Sequence, residues 1–422
     1  MKQNFRIFAV VAVLLVAIAS CSKEDGVGIP EPATPQEVSY RVSVKDALRS
    51  ANNILSAGDR ATRSVERKVK STELYIAKPA TRSNDGVEVS FYLINYEDNA
   101  GYALVSTDKR ATPVYMFADE GNITTAAFEE VTPLAIFMDE AIANYEIEVA
   151  SSGTDGPIDI GLPPGIDGRI GILNGVEYYL QENTTYLTKG PYTATRWHQG
   201  YPYNIYCDNN LVGCLPLAMG QIMAYYRHPN SLNNRVLNWD NMSQLEFYNI
   251  NDSGAEDVAY FLRQIGEIGD ADYRFANPDE NEDGGTYMSM ANIEPTYNTF
   301  GYLCGDYQTF DVDMAIAQLD QQKPFIAYGV RIVEGESGED YKEVAHAWII
   351  HGYRIEHHVL RYLYKTPPYL EYTTREYSTI YLRHNVGWQS TNSNLYYDYY
   401  TLTTDFIHPL HNGMVLNISP NL

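Results

Sequence analysis

Cys214 stands where a thiol can become a nucleophile. Pro216 follows it closely, and proline is tolerated in a helix only within the first turn, so Cys214 lies at or beside a helix N-terminus. The positive end of the helix dipole favours a thiolate over a thiol at such a place. The alternative is a buried structural cysteine, a common fate of free thiols.

A cysteine nucleophile needs a base, and His346 is the candidate. It lies 132 residues after Cys214, in the apolar run from Val344 to Ile350, with an alanine on each side. An imidazolium beside the thiol would lower its pKa and then protonate the leaving amine. The other interpretation is a histidine that is satisfied in the core.

The amide of Gln199, 15 residues before Cys214, is a candidate donor to an oxyanion. Together with the backbone N–H of Cys214 it could hold the negative oxygen of a tetrahedral intermediate. The alternative is a glutamine in a surface turn. Neither Cys207 nor Cys304 shows zinc-ligand spacing, and we predict no metal and no cofactor. Whether these two cysteines pair is left open by the sequence.

The elements that must position these residues follow in a clear order. Ser43 is placed to cap a helix, and Thr132 with Pro133 starts a second one. Helical periodicity continues from Gly213 to Tyr226 with apolar residues on most sides, which predicts a buried helix. Strand patterns cover residues 87–96, 102–106, 324–333, 344–354, 379–385 and 414–418. Helices near the start and strands toward the end predict an α+β fold.

The N-terminus has the pattern of a secretory signal. Lys2 and Arg6 precede an apolar run of 13 residues, too short to span a bilayer as a helix. Residues 16–21, which end in Cys21, resemble a bacterial lipobox, in which the cysteine becomes lipidated. The alternative is an ordinary signal peptide with an incidental cysteine. We therefore expect a signal over residues 1–20, lipidation of Cys21, a flexible tether over 21–38, and a lipoprotein at the outer membrane or cell surface.

Composition limits the expected partners of the protein, and the length and composition of the chain indicate its domains. The 422-residue chain is 45% hydrophobic and carries a formal net charge of −24, which excludes nucleic acid as an expected partner. Residues 39–150 and 179–422 read as folded regions. Residues 151–178 are rich in glycine and proline, which predicts a linker, and we expect cleavage between Ser151 and about Lys189.

Four ordered motifs resemble the streptopain family of papain-like cysteine peptidases. They are Trp197 to Asn204, Gly213 to Met223, His346 to Tyr353, and Asn385 with Gly387 and Trp388. The spacing of Cys214 and His346 also agrees with that of papain-like enzymes. The resemblance implies a papain-like domain with Cys214 and His346 as its catalytic dyad, Asn385 orienting the imidazole and Trp388 covering the site.

The N-terminal region also resembles part of this family. The stretch from Ile94 to Asp108 is similar to its inhibitory prodomain, which implies that residues 39–150 form a small α+β inhibitor. We therefore expect an endopeptidase made as a zymogen, with protein or peptide substrates and its own prodomain as partner. Cleavage would release the mature enzyme, because the lipid sits upstream of the cut. The alternative is an inactive relative that serves as a binding module. Val386 and His351 differ from the family motifs and are compatible with this alternative.

Overall fold

The computed structural model describes thirteen stretches of the chain, and the account of the fold concerns these. They are residues 40–57, 67–77, 88–129, 133–151, 168–173, 176–208, 210–243, 246–274, 285–334, 341–365, 371–387, 394–398 and 413–421. The predicted signal, the tether, Cys21 and Trp388 lie outside them. No helix within these stretches is long and apolar enough to cross a membrane.

The helices begin where the sequence provides their first turn. Ser43 accepts a hydrogen bond from the backbone N–H of Asp46 at 3.1 Å and so caps the first helix, as predicted. The helices are α1 (Val44–Ser56), α2 (Ala126–Glu129), α3 (Pro133–Ser151), α4 (Cys214–Tyr226), α5 (Trp239–Met242), α6 (Ala255–Ile268), α7 (Ile293–Thr299) and α8 (Val312–Asp320). Short 3-10 turns cover Glu97–Asn99 and Met290–Asn292.

Most of the strands join one large antiparallel sheet. The strands are β1 (Val69–Ile76), β2 (Ser90–Tyr96), β3 (Tyr102–Ser106), β4 (Val114–Ala118), β5 (Gly168–Leu173), β6 (Val176–Lys189), β7 (Ser231–Leu232), β8 (Arg235–Val236), β9 (Asp272–Arg274), β10 (Gly285–Tyr287), β11 (Tyr302–Leu303), β12 (Tyr307–Gln308), β13 (Phe325–Glu334), β14 (Tyr341–Tyr364), β15 (Glu371–Asn385), β16 (Asn394–Asp398), β17 (Gly413–Val415) and β18 (Ser419–Pro420). The main sheet runs β1-β2-β3-β4-β16-β15-β14-β13-β17-β12, and β6 adds to β14 and β5 to β6.

Helices pack against this sheet and divide the core into clusters. The buried face of α1 packs on β2, β3 and β4, while α3 and α8 belong to a second cluster that includes Trp348 and Leu382. Helix α4 packs with α6 and α7 in a third cluster, which also takes Ala347 and Ile349 from β14. Alternate residues of β14 thus enter different clusters, as the pleat requires. The predicted α+β class is confirmed.

The predicted linker needs a correction. We expected a linker over residues 151–178, but Ser151 ends α3, residues 168–173 pair with β6 as an antiparallel hairpin, and residues 176–178 belong to β6. Strand β6 in turn pairs with β14 from Lys189 opposite Tyr353 to Tyr178 opposite Tyr364. The glycines that suggested a loop are tolerated here because a neighbouring strand supplies backbone partners. Of the predicted linker, only residues 152–167 and 174–175 lie outside the described stretches.

Candidate active site

Cys214 is the first residue of α4, as its position before Pro216 predicted. Gly213 caps the helix with φ 96° and ψ 142°, a conformation that strongly favours glycine. A Cβ on Gly213 would also stand 2.8 Å from Cγ2 of Thr286, closer than carbon atoms pack. The glycine before the cysteine is therefore required both by backbone conformation and by space.

Three backbone N–H groups act on the Cys214 thiol. The residue is partly exposed, but its sulfur is enclosed, and burial raises the pKa of the thiol. The N–H groups of Ala347, Leu215 and Cys214 itself oppose that rise without cancelling it. The expectation of a lowered thiol pKa is thus wrong for the uncut chain, because loss of solvent outweighs the helix-terminal donors.

His346 lies on β14, directly before the residue whose N–H reaches the thiol. Its imidazole is buried, and its Nε2 lies 2.8 Å from the carbonyl oxygen of Val386. Burial lowers the pKa of His346 to about 4, and the carbonyl of Val386 only partly counteracts it. The ring is therefore neutral at physiological pH. With the proton on Nε2, which donates to the carbonyl, Nδ1 carries the lone pair that a base needs.

Asn385 does not hold the imidazole directly. Its side-chain nitrogen donates to the carbonyl of Thr195 at 2.8 Å and to Oε1 of Gln221 at 2.7 Å, and its oxygen accepts from the N–H of Gly387 at 3.2 Å. The orienting hydrogen bond to His346 comes instead from the carbonyl of the next residue, Val386. Asn385 ties the end of β15 to α4 and so positions that carbonyl indirectly.

Gln221 is a part of the site that the sequence analysis missed. It is buried on α4, two turns beyond Cys214, and its Oε1 also accepts from the hydroxyl of Thr195 at 3.1 Å. A polar residue in an otherwise apolar, buried helix was the available signal, since such a residue requires hydrogen-bond partners. The Val386 carbonyl had no comparable signal, because every residue type carries one.

Gln199 is placed next to the segment that leads into α4. Its carbonyl accepts from the N–H of Val212 at 3.0 Å, two residues before the cysteine. The residue is buried, yet its side-chain amide makes no hydrogen bond to any other described residue. Since no described residue bonds this amide, its N–H donors are available to a ligand in the part of the chain that the structure describes.

Residues of the N-terminal region reach the surroundings of the site. The ring of Phe137 on α3 lies 5.7 Å from that of Trp348, which in turn stacks on His346 at 5.9 Å. Glu120, shortly after β4, forms an ion pair with Arg196, the residue before Trp197. One side chain therefore separates α3 from the candidate base.

The other described thiols are not chemically prominent. Cys207 and Cys304 are both free, which settles the open question of their pairing in favour of no disulfide. Burial raises the pKa of Cys207 to about 11 and that of Cys304 to about 12. Only Cys214 combines an enclosed sulfur with a helix N-terminus and a histidine on the neighbouring strand.

Comparison with known families matches two parts of the chain. A model described as Peptidase C10 family matches residues 197–397, and a model described as Spi protease inhibitor matches residues 39–142. The chain carries a streptopain-family peptidase domain behind a Spi-type inhibitor domain. The predicted family resemblance is therefore confirmed. No curated protein matches the chain.

A solved fragment of Prevotella intermedia prointerpain A is similar to this chain. The sequences are 15% identical, the TM-score is 0.49, and the match covers 82% of this chain and 98% of the fragment. Within the streptopain-family domain, the first matched residue is Trp197 and the match extends through β16. The inhibitor match covers α1 and the strands β1 to β4. The family supports a cysteine-type peptidase.

Proposed function

We propose that the protein is the zymogen of a cysteine endopeptidase whose nucleophile is Cys214 and whose base is His346. The observation that carries the proposal is the packing of α4 against β14, where Cys214 lies in the same cluster as Ala347 and His346 immediately precedes that alanine. A thiol at a helix N-terminus and an imidazole on the strand that packs against that helix are the two groups that covalent catalysis by cysteine uses.

The mechanism follows from the groups present. His346 takes the thiol proton on Nδ1, and the Cys214 sulfur attacks the carbonyl carbon of the scissile peptide. The C–S bond forms while the carbonyl oxygen becomes an oxyanion, which the Gln199 amide and the Cys214 N–H stabilise. The C–N bond then breaks as the imidazolium protonates the leaving amine. Water, deprotonated by His346, hydrolyses the thioester and restores the thiol.

The uncut chain is in a resting state in this scheme. A thiol with a raised pKa and an imidazole with a pKa of about 4 do not form the thiolate–imidazolium pair. The contact of Phe137 with Trp348, which stacks on His346, connects the inhibitor domain to this state. We propose that separating the inhibitor domain gives solvent access to the pair and raises the His346 pKa toward its ordinary value.

Strand pairing supports a narrower position for the activating cut than the one predicted from the sequence. Residues 168–173 and 176–189 are paired in the sheet, and a protease requires an extended segment with free backbone groups. We therefore place the cut within residues 152–167. With Cys21 lipidated at the cell surface, the cut would leave the lipid on the inhibitor domain and free the peptidase domain from its covalent anchor.

A second candidate function has one observation in its favour. An inactive relative that acts as a binding module would also show an uncharged thiol and imidazole, and Val386 stands where the family has a tryptophan. The two candidates differ after cleavage, since only the peptidase gains a reactive thiol.

The test uses chain that is cleaved at a protease site introduced within residues 152–167 and then separated from the inhibitor domain. We expect Cys214→Ala and His346→Ala each to lower peptide turnover by at least about 10³-fold, because nucleophile and base act as a unit. The matched control is Cys304→Ala, which removes another free thiol and leaves turnover unchanged. Turnover retained in cleaved Cys214→Ala would refute the mechanism. Absence of turnover in the unmutated peptidase domain, once cleaved and separated from the inhibitor domain, would favour the binding module.

A further inference from the structure

The inhibitor domain and the peptidase domain share one continuous sheet. Strand β4 is the edge of the inhibitor domain's four strands, and it pairs antiparallel with β16, with Phe117 opposite Tyr396 and Met116 opposite Tyr397. The rings of Phe117 and Tyr396 stack at 4.6 Å with an interplanar angle of 10°. An extended strand added to a sheet edge gains affinity from backbone hydrogen bonds and specificity from its side chains.

Two arginines of the peptidase domain lie at this junction. Arg354 on β14 is 1% exposed and Arg383 on β15 is 10% exposed. Both guanidinium groups lie over the ring of Tyr396, at 4.6 Å and 5.0 Å from its centroid. Buried guanidinium groups require anionic or polar partners, because charge taken out of water is otherwise costly.

The peptidase domain supplies one hydroxyl to each arginine, from Thr188 to Arg354 and from Tyr396 to Arg383, both at 3.1 Å, and the inhibitor domain supplies the remaining partners. Asp119, the residue after β4, lies 3.4 Å from Arg354 and 3.6 Å from Arg383, and among the described carboxylates it is the one that pairs with either arginine. Arg354 also donates to the carbonyl of Ile54 at the end of α1, at 2.7 Å. One carboxylate of the inhibitor domain thus neutralises two buried cations of the peptidase domain. We call Asp119, Arg354 and Arg383 the arginine clasp.

We propose that the arginine clasp retains the inhibitor domain on the peptidase domain after the linker has been cut. The peptidase domain contributes an acceptor made of the β16 edge and two arginines, and its ligand is an extended strand that carries a carboxylate just beyond its paired residues. In this chain that ligand is β4 with Asp119. Cutting residues 152–167 therefore leaves a non-covalent complex, and loss of the clasp separates it. The regulatory meaning of this contact depends on the proposed zymogen function, whereas the contact itself does not.

The experiment measures dissociation without using catalysis. The full chain carrying Cys214→Ala and a protease site within residues 152–167 is cut, and the affinity between the two fragments is measured by co-elution across a dilution series. We expect Asp119→Asn to weaken the complex at least about tenfold, since truncating one partner of a buried charge pair is costly. Glu73→Gln, at an exposed carboxylate on β1, is the matched control and leaves affinity unchanged.

A double-mutant cycle tests whether the loss of affinity in Asp119→Asn comes from the arginine clasp. We expect Arg383→Gln alone to weaken the complex. In a chain that already carries Asp119→Asn, the same substitution should weaken it less, because the ion pair is already broken. Equal affinity for Asp119→Asn and the control, or strictly additive effects, would overturn the proposal. If the peptidase domain with Cys214 intact shows no activity after cleavage and removal of the inhibitor domain but the cycle still shows coupling, the clasp stands and only the zymogen function fails.

Discussion

At the scale of single residues, the chemistry depends on the environment of Cys214 and His346 more than on their identities. Both are uncharged in the uncut chain because burial raises the pKa of one and lowers that of the other. The His346 pKa of about 4 lies below that of an unfolded-chain histidine. The titration of His346 therefore leaves the free energy of unfolding unchanged above about pH 6.5. As the pH falls from there toward 4, it destabilises the native state.

Gln199 provides a prediction about transition-state stabilisation. We expect Gln199→Ala to lower kcat of the cleaved protein by about 10²–10³-fold, the usual effect of removing one oxyanion donor. Thermal stability should change little, because the amide makes no hydrogen bond within the described residues. Steady-state kinetics and a melting curve check both parts, with Gln308→Ala on β12 as the control. A loss below about threefold would show that Gln199 does not reach the oxyanion.

Residue types and order were sufficient to predict the nucleophile and the base candidates. Proline two residues beyond Cys214 indicated the helix start that the structure has, and the apolar run around His346 indicated its strand. The partner of His346 could not be predicted, because a backbone carbonyl has no sequence signature. Asn385 was assigned that role by family resemblance, and its hydrogen bonds to Thr195 and Gln221 depend on tertiary contacts.

At the scale of elements, the start of α4 is fixed by Gly213. We expect Gly213→Ala to destabilise the protein by about 1–3 kcal/mol, because alanine is strained at a φ of 96° and its Cβ would meet Thr286. The variant should also lose turnover after cleavage, since Cys214 is the next residue. Chemical denaturation and activity assays measure these effects.

The control for that variant is Gly285→Ala on β10. A Cβ at Gly285 meets no atom within 4 Å, so we expect a change in unfolding free energy within about 0.5 kcal/mol. Equal destabilisation by the two substitutions would contradict the requirement for glycine before the cysteine.

Strand and helix patterns predicted fewer than half of the described elements, and they did not predict the lengths of the strands around His346. Residues 344–354 and 379–385 were predicted as strands, and β14 and β15 extend well beyond them to form a ribbon with β6. The polar residues of that ribbon, such as His357 and Glu376, gave no local reason to expect strand structure. Pairing with neighbouring strands overrides local propensity here, as it does for the glycines of β5.

At the scale of the whole molecule, the junction between the domains contains a buried acid with a perturbed pKa. Asp398 on β16 is 2% exposed, and burial together with Glu148 and Glu140 of α3 raises its pKa well above the usual range. The pKa of Asp398 is higher in the folded chain than in the unfolded chain. The folded state therefore loses stability as the pH rises above about 4, where an unfolded aspartate ionises.

Asp398→Asn tests this interpretation. In uncut chain carrying Cys214→Ala, we expect the variant to match its parent below about pH 4 and to exceed it by at least about 1 kcal/mol at pH 7. Denaturant unfolding across pH measures the difference, with Asp306→Asn, an exposed carboxylate, as the control. A variant less stable than its parent at pH 7 would be inconsistent with a protonated Asp398.

The continuity of the sheet across the two domains had no sequence signal. Strands β4 and β16 pair residues that are 279 positions apart (Phe117 and Tyr396), and neither strand was predicted from the sequence. Their pairing and the convergence of Arg354 and Arg383 on Asp119 arise from the packing of complete domains. Family resemblance indicated that an inhibitor and a peptidase are present, and the structure adds the surface on which they meet.

The central claim is that one thiol changes from resting to reactive when the inhibitor domain leaves. The most direct measurement is the rate at which iodoacetamide alkylates Cys214 at pH 6, followed by mass spectrometry before cleavage within residues 152–167 and after removal of the inhibitor domain. We predict at least about a tenfold faster reaction after removal, abolished by His346→Ala, because an unactivated thiol is mostly protonated at that pH. Equal rates before and after removal, or a fast rate that persists without His346, would contradict the account.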